Sequence, residues 1–213
     1  MQPFETYRGT IAALDRANVD TDQIIPKQFL KSIKRTGFGE NLFFDWSRLP
    51  DGSPDPDFEL NQERFKDAGI LVARNNFGCG SSREHAVWAV VQAGFRAVIA
   101  PWRESAEGRI PGFADIFANN SVKNGLLTVQ LSEDEIDEIF DAVNRVPGLE
   151  GTIDLAQQQV VLHVEEDKVY QFDIDEAVKQ YLLRGLDEIG LTLEREQTIE
   201  DFETRHDVQF RQA

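Results

Sequence analysis

Asn75-Asn76-Phe77-Gly78-Cys79-Gly80-Ser81-Ser82-Arg83-Glu84-His85 sits between two apolar stretches of different character. Before it, with only Arg74 intervening, runs Gly69-Ile70-Leu71-Val72-Ala73, a short run of buried-strand type. After it, Ala86-Val87-Trp88-Ala89-Val90-Val91-Gln92-Ala93-Gly94 suits a mostly buried helix closed by glycine. Strand, glycine turn and helix start aim backbone N–H groups and the positive end of the helix dipole at one point. A carboxylate or phosphate is the natural ligand there, and Arg83 has the fork to grip it. Ser81 and Glu84 also fit the S-x-x-E capping box, which needs no ligand. The two readings are compatible. Arg83 occupies the third glycine position of a dinucleotide fingerprint, and the lysine of a phosphate-binding P-loop is missing, so cofactor cradling is excluded.

Outward from this turn, strands and helices alternate. Residues 8–14 read as a first strand, followed by the polar turn Asn18–Asp22 and Pro26 as a helix-opening residue. Residues 36–62 form a long glycine- and proline-rich loop whose aromatics pin it to the body. Strands are expected at 97–100 and 126–130, with a short helix at 113–119 between them. Ser132 and Glu135 make a capping box for a helix with Ile136, Ile139, Phe140 and Val143 on one face. A hairpin-like pattern spans 151–172, and Asp175 caps a last helix, 176–184. The expectation is a layered α/β fold in one domain over residues 1–195, with a loosely ordered polar tail at 196–213.

Composition narrows the function. With 41% hydrophobic and 28% charged residues, the 213-residue chain is an ordinary globular protein. A net charge of −16 argues against nucleic acid as a partner. The longest apolar runs fall short of the ~20 residues that cross a bilayer, so no membrane contact is expected. The first residues lack a secretory pattern, and a single cysteine fits a reducing cytoplasm. One basic island interrupts the acidity: from Gln23 to Gly39 there is no acidic residue but Lys27, Lys31, Lys34 and Arg35. It is either a solvated helix face or a contact for an anion. Three histidines and one cysteine, unclustered, leave no metal-binding pattern. Cys79 lies beside a helix start that would stabilise a thiolate, yet no histidine is fixed as its partner.

The serine turn thus looks like a substrate site without the groups that would complete it. Five motifs resolve the tension. Asn18–Pro26, Thr36-Gly37-Phe38-Gly39, Asn76–Ala86, Phe113–Phe117 with Asn119-Asn120-Ser121, and Gly185–Leu193 together resemble the small subunits of 3-isopropylmalate dehydratase, in the aconitase superfamily. The resemblance covers about residues 4–195. It implies a β/β/α swivelling domain like the last domain of aconitase, and a dicarboxylate substrate. It also implies a large-subunit partner carrying a [4Fe–4S] cluster and most remaining catalytic groups, with no cofactor on this chain. The reaction would interconvert 2- and 3-isopropylmalate through isopropylmaleate, in leucine biosynthesis.

By the same resemblance Ser81 matches the catalytic base, and Ser82 and Arg83 would bind a substrate carboxylate. Asp22 would orient a neighbouring arginine or histidine. Arg35, in the substrate-selecting loop Ile33-Lys34-Arg35-Thr36, would touch a substrate carboxylate. Cys79, Glu84 and His85 are read as structural or as supports for the residues that touch substrate. Trp102–Gly112 departs from the family's pattern as an insertion of about ten residues, cheap in loop-closure entropy, and is either a surface excursion or an added contact with the large subunit. A sister dehydratase of another 2-hydroxy dicarboxylate, and a non-catalytic anion-binding module, are the competing readings.

Overall fold

The structure is a computed structural model that describes residues 1–31, 35–185, 188–193 and 195–206. Ile33 and Lys34 of the selecting loop, Leu186 and Asp187 of the last motif, and residues 207–213 lie outside the described residues.

The apolar runs become the centre of a seven-stranded mixed sheet. In chain order the main elements are β1 (Thr6–Leu14), α1 (Thr21–Ile24), α2 (Phe44–Ser47), β2 (Ile70–Ala73), α3 (Glu84–Gln92) and β3 (Ala97–Pro101). There follow β4 (Arg103–Ser105), β5 (Gly108–Ile110), α4 (Asp115–Lys123), β6 (Leu127–Leu131), α5 (Glu133–Arg145), β7 (Glu150–Asp154), β8 (Gln159–Leu162) and β9 (Lys168–Gln171). The order across the sheet is β6-β3-β2-β1-β7-β8-β9. β6, β3, β2 and β1 are parallel, and β7, β8 and β9 form an antiparallel meander.

β1 is the seam between the two halves. Its first part, Thr6–Thr10, pairs antiparallel with β7, while Ile11–Leu14 pairs parallel with Ile70–Ala73 of β2. Burial follows pairing. Every residue of β2 and β3 is buried, as a strand covered on both faces requires. β7 and β8 alternate between buried and half-exposed side chains. The crossovers β2–α3–β3 and β3–α4–β6 advance in the same direction, so right-handed connections place α3 and α4 on one face, packed on each other. α5 packs on β1, β2 and β3.

Local signals explain most of these elements. Ser132 caps α5 with Glu135 reciprocating, and Ile136, Ile139, Phe140 and Val143 are its buried stripe. Asp175 caps α6 (Glu176–Arg184). The long loop is pinned as its aromatics suggest: Phe43 and Phe58 are buried, and Phe43 stacks on Trp46 at 5.7 Å. Arg16 lies over Trp46 at 4.4 Å and pairs with Glu59 at 3.0 Å, tying that loop to the end of β1.

Two helix expectations differ from what forms, and the insertion takes a definite shape. The insertion after β3 is a β-hairpin, β4–β5, exposed along both strands; Arg109 lies over Trp102 at 4.0 Å and locks it locally. The short helix starts later and runs further, at Asp115–Lys123. α6 is not the last helix: α7 (Glu188–Leu193) and α8 (Glu196–His206) follow it, so most of the stretch expected as a loose tail is helical. Its lack of an apolar stripe hid it, because a polar, exposed helix leaves little periodic signal. Among the described residues no helix is long and apolar enough to cross a membrane.

Candidate active site

β1 and β2 are neighbouring parallel strands, so the loops at their carboxyl ends emerge side by side, where open α/β sheets bind ligands. Backbone bonds fuse the two loops into one unit. Asn18 N–H donates to Asn75 O at 2.9 Å, Gly78 N–H to Val19 O at 2.8 Å, and Thr21 N–H to Cys79 O at 2.8 Å. Asn76 adds a side-chain bond to Asn18 Oδ1 at 2.9 Å. The polar turn at Asn18–Asp22 and the serine turn are therefore a single structure, although neither sequence segment announces the other.

Two glycines make the crossing possible. Gly78 has φ +76° and Gly80 φ +91°. A Cβ on Gly78 would stand 2.2 Å from the Phe117 ring, and one on Gly80 would stand 2.5 Å from Asp20 Oδ2. Asp20 has its own task there. It caps α1, accepting from Asp22 N–H, while Gln23 Oε1 accepts from the Asp20 N–H at 2.8 Å. This D-x-x-Q capping box is a local signal, written in four consecutive residues.

The cap expected at Ser81 does not form. The residue that caps α3 is Arg83, with extended backbone and no side-chain bond to the helix, and the helix begins at Glu84. The positive-φ glycines carry the chain past the position where a serine cap would have to stand. Ser81 and Ser82 are left exposed at the tip, their hydroxyls uncommitted to capping. That arrangement suits a ligand site better than a plain cap.

Arg83 is the largest group beside the two serines. Its side chain is only 15% exposed, and its guanidinium forms an ion pair with Asp22. Lys27 Nζ takes the other Asp22 oxygen at 3.1 Å. Two cations thus share the Asp22 carboxylate within a strongly acidic chain. Both Asp22 oxygens are engaged by cations, one of them the arginine of the serine turn.

Arg35 is placed differently. Its guanidinium lies 5.8 Å from the Trp88 ring, and its carbonyl accepts from Gln92 Nε2 at 2.8 Å. These partners sit about one and a half to two and a half turns along α3 from Arg83. With Glu84, Trp88, Val91, Gln92 and Asn124, Arg35 lines a cleft on the outer face of the helix. The described residues show no contact that brings Arg35 to the serine tip.

The remaining candidates make contacts away from the serine hydroxyls. His85 packs edge-on to Phe38 and against Trp88. Glu84 accepts from Asn124 Nδ2 at 3.0 Å. Cys79 is not an activated thiolate: burial, then the charge of Asp20, push its thiol above the ordinary value. The helix start that was expected to favour a thiolate lies five residues further on.

Residues 1–134 match the family described as the aconitase C-terminal domain. The sequence is 58% identical over 205 residues to a 3-isopropylmalate dehydratase small subunit from Desulforapulum autotrophicum, covering 96% of each chain. A crystal structure of 3-isopropylmalate dehydratase (leuD) from Methanocaldococcus jannaschii matches with a TM-score of 0.61 and 26% identity, over 92% of this chain and 98% of that one.

Proposed function

The chain belongs to the small-subunit family of 3-isopropylmalate dehydratase, built on the aconitase C-terminal domain, and from that premise we propose how its serine tip serves the reaction. The activity is that of a hydro-lyase in leucine biosynthesis, converting 2-isopropylmalate to 3-isopropylmalate by removing and re-adding water across isopropylmaleate. Ser81 removes the proton on the carbon next to a substrate carboxylate. The electron pair left behind becomes the new double bond as the neighbouring hydroxyl takes up a proton and leaves as water. Re-addition of water returns the Ser81 proton to the carbon that lost the hydroxyl, and a hydroxyl to the carbon that lost the proton.

A serine hydroxyl is a weak acid, so its alkoxide needs fixed positive surroundings that cost no reorganisation during the step. Arg83 supplies them. Asp22, whose other oxygen pairs with Lys27, holds it in place, and the uncapped amides at the start of α3 add to the field. Ser82 and the free edge of the Arg83 fork bind the carboxylate. Arg35, packed over Trp88 on the side of α3, is assigned no contact with the carboxylate at the serine tip. The observation that carries this reading is the Asp22–Arg83 ion pair beside two exposed serines.

A [4Fe–4S] cluster is held by cysteine thiolates. This chain has one cysteine, and among the described residues no three His, Cys, Asp or Glu side chains converge. The cluster does not fit here, and we assign it to a large-subunit partner in the cytoplasm. The test is co-expression with a cluster-bearing large subunit and air-free assay of both isopropylmalates. Turnover should require both chains and fall about 10²–10⁴-fold with Ser81→Ala. Full activity in that variant would remove Ser81 as the base, and turnover of a sister hydroxy acid alone would move the substrate assignment.

A further inference from the structure

Thr21 is one of the few buried polar side chains in the molecule, 2% exposed, and the reading above gives it no task. It sits in the first turn of α1, next to Asp22. Its backbone N–H donates to Cys79 O at 2.8 Å, and its hydroxyl donates to Ser81 O at 3.0 Å. A single residue thus grips the serine turn at two carbonyls, two residues apart. Resting on the assignment of Ser81 as the base, we propose that Thr21 is a positioning residue, whose hydroxyl sets the orientation of the Ser81–Ser82 peptide and with it the aim of the Ser81 side chain.

The physical argument has three parts. The turn is flanked by Gly80 at φ +91° and has no side-chain cap, so nothing local fixes its last peptides before the helix. A trans peptide is planar with its C=O and N–H opposed. Holding the Ser81 carbonyl inward on Thr21 therefore turns the Ser82 N–H outward, to the side where both serines are exposed. Finally, Asp22 fixes Arg83 from the same turn of α1. Adjacent residues 21 and 22 thereby set the base and the cation that stabilises it, in one rigid frame.

The experiment uses the assembled two-subunit enzyme. Thr21→Ser keeps the donor, whereas Thr21→Ala removes it, and both lose the methyl group; Thr21→Val restores the shape without the donor. Ser81→Ala is assayed alongside. We expect kcat to fall about ten- to a hundredfold in Thr21→Ala and Thr21→Val, with KM changed less than threefold. Thr21→Ser should return kcat to within about threefold of the unaltered enzyme, at equal recovery of the complex. Equal kcat in Thr21→Ser and Thr21→Ala overturns the proposal, whether both are high or both low, because the hydroxyl is then irrelevant. Retained activity in Ser81→Ala is a separate failure, that of the base assignment itself.

Discussion

Asp22 and Arg83 form an ion pair that joins the loop after β1 to the loop after β2. The pair is flanked by Lys27 on one side and by the exposed serines on the other. Asp22 therefore fixes a cation rather than presenting a carboxylate to the ligand, and this division of labour makes distinct predictions for the two partners.

Asp22→Asn should leave Arg83 charged but loosely aimed. We expect kcat/KM of the assembled enzyme to fall at least about tenfold, ~1.4 kcal/mol of transition-state stabilisation. Arg83→Lys should do no better, since an ammonium cannot reproduce the planar fork. Steady-state kinetics of both variants checks this. Wild-type values for Asp22→Asn would mean that the pair is only a surface contact.

Gly80→Ala and Gly94→Ala separate backbone strain from steric collision. Both glycines have positive φ, but only at Gly80 does a Cβ meet another group, Asp20 Oδ2 at 2.5 Å; at Gly94 it meets nothing within 4 Å. Gly94→Ala should cost about 1 kcal/mol and spare activity. Gly80→Ala should cost about 1–3 kcal/mol and, by displacing the cap of α1, lower turnover as well. Urea unfolding and the isopropylmalate assay on the same preparations decide it.

Ser132→Ala removes the hydroxyl half of the capping box at α5, the acceptor for Glu135 N–H, and leaves the backbone N–H of residue 132 bonded to Glu135 Oε2. It should destabilise the protein by about 1 kcal/mol with no effect on kcat, because α5 packs on the sheet without contributing to the serine tip. Chemical denaturation gives the first number and kinetics the second.

Cys79 gives a pH signature. Its folded thiol is held above the ordinary value of 9.0 by burial and by Asp20. Between those two values the unfolded chain releases a proton that the folded chain keeps, so the thiol's contribution favours unfolding as pH rises past about 9. Cys79→Ala should show a shallower alkaline loss of stability in melting curves. Alkylation at pH 8 should be slower in the folded chain than in urea; equal rates would contradict the burial argument.

Much of this architecture could be read from the residues in chain order. The runs 70–73 and 97–100 are too apolar to be anything but covered strands, and Ser132 with Glu135 marks a helix start through contacts three residues apart. The motif around Ser81 was legible as a strand–turn–helix unit and as a family resemblance. Within reach of local chemistry, the sequence determined the elements and their order, together with the residues worth testing.

Only the tertiary structure decided what those residues meet. Ser81 looked like a cap by spacing, but two positive-φ glycines delay the helix to Glu84 and leave the serine free. Thr21 and Ser81 are 60 residues apart in the chain, yet share a hydrogen bond because parallel pairing of β1 and β2 sets their loops side by side. Arg35 entered the site by motif alone and lies instead over Trp88. Spacing reports contacts made within one or two helical turns, whereas the partners of a side chain on a crossing loop are set by strand register, which emerges only when the whole sheet has formed.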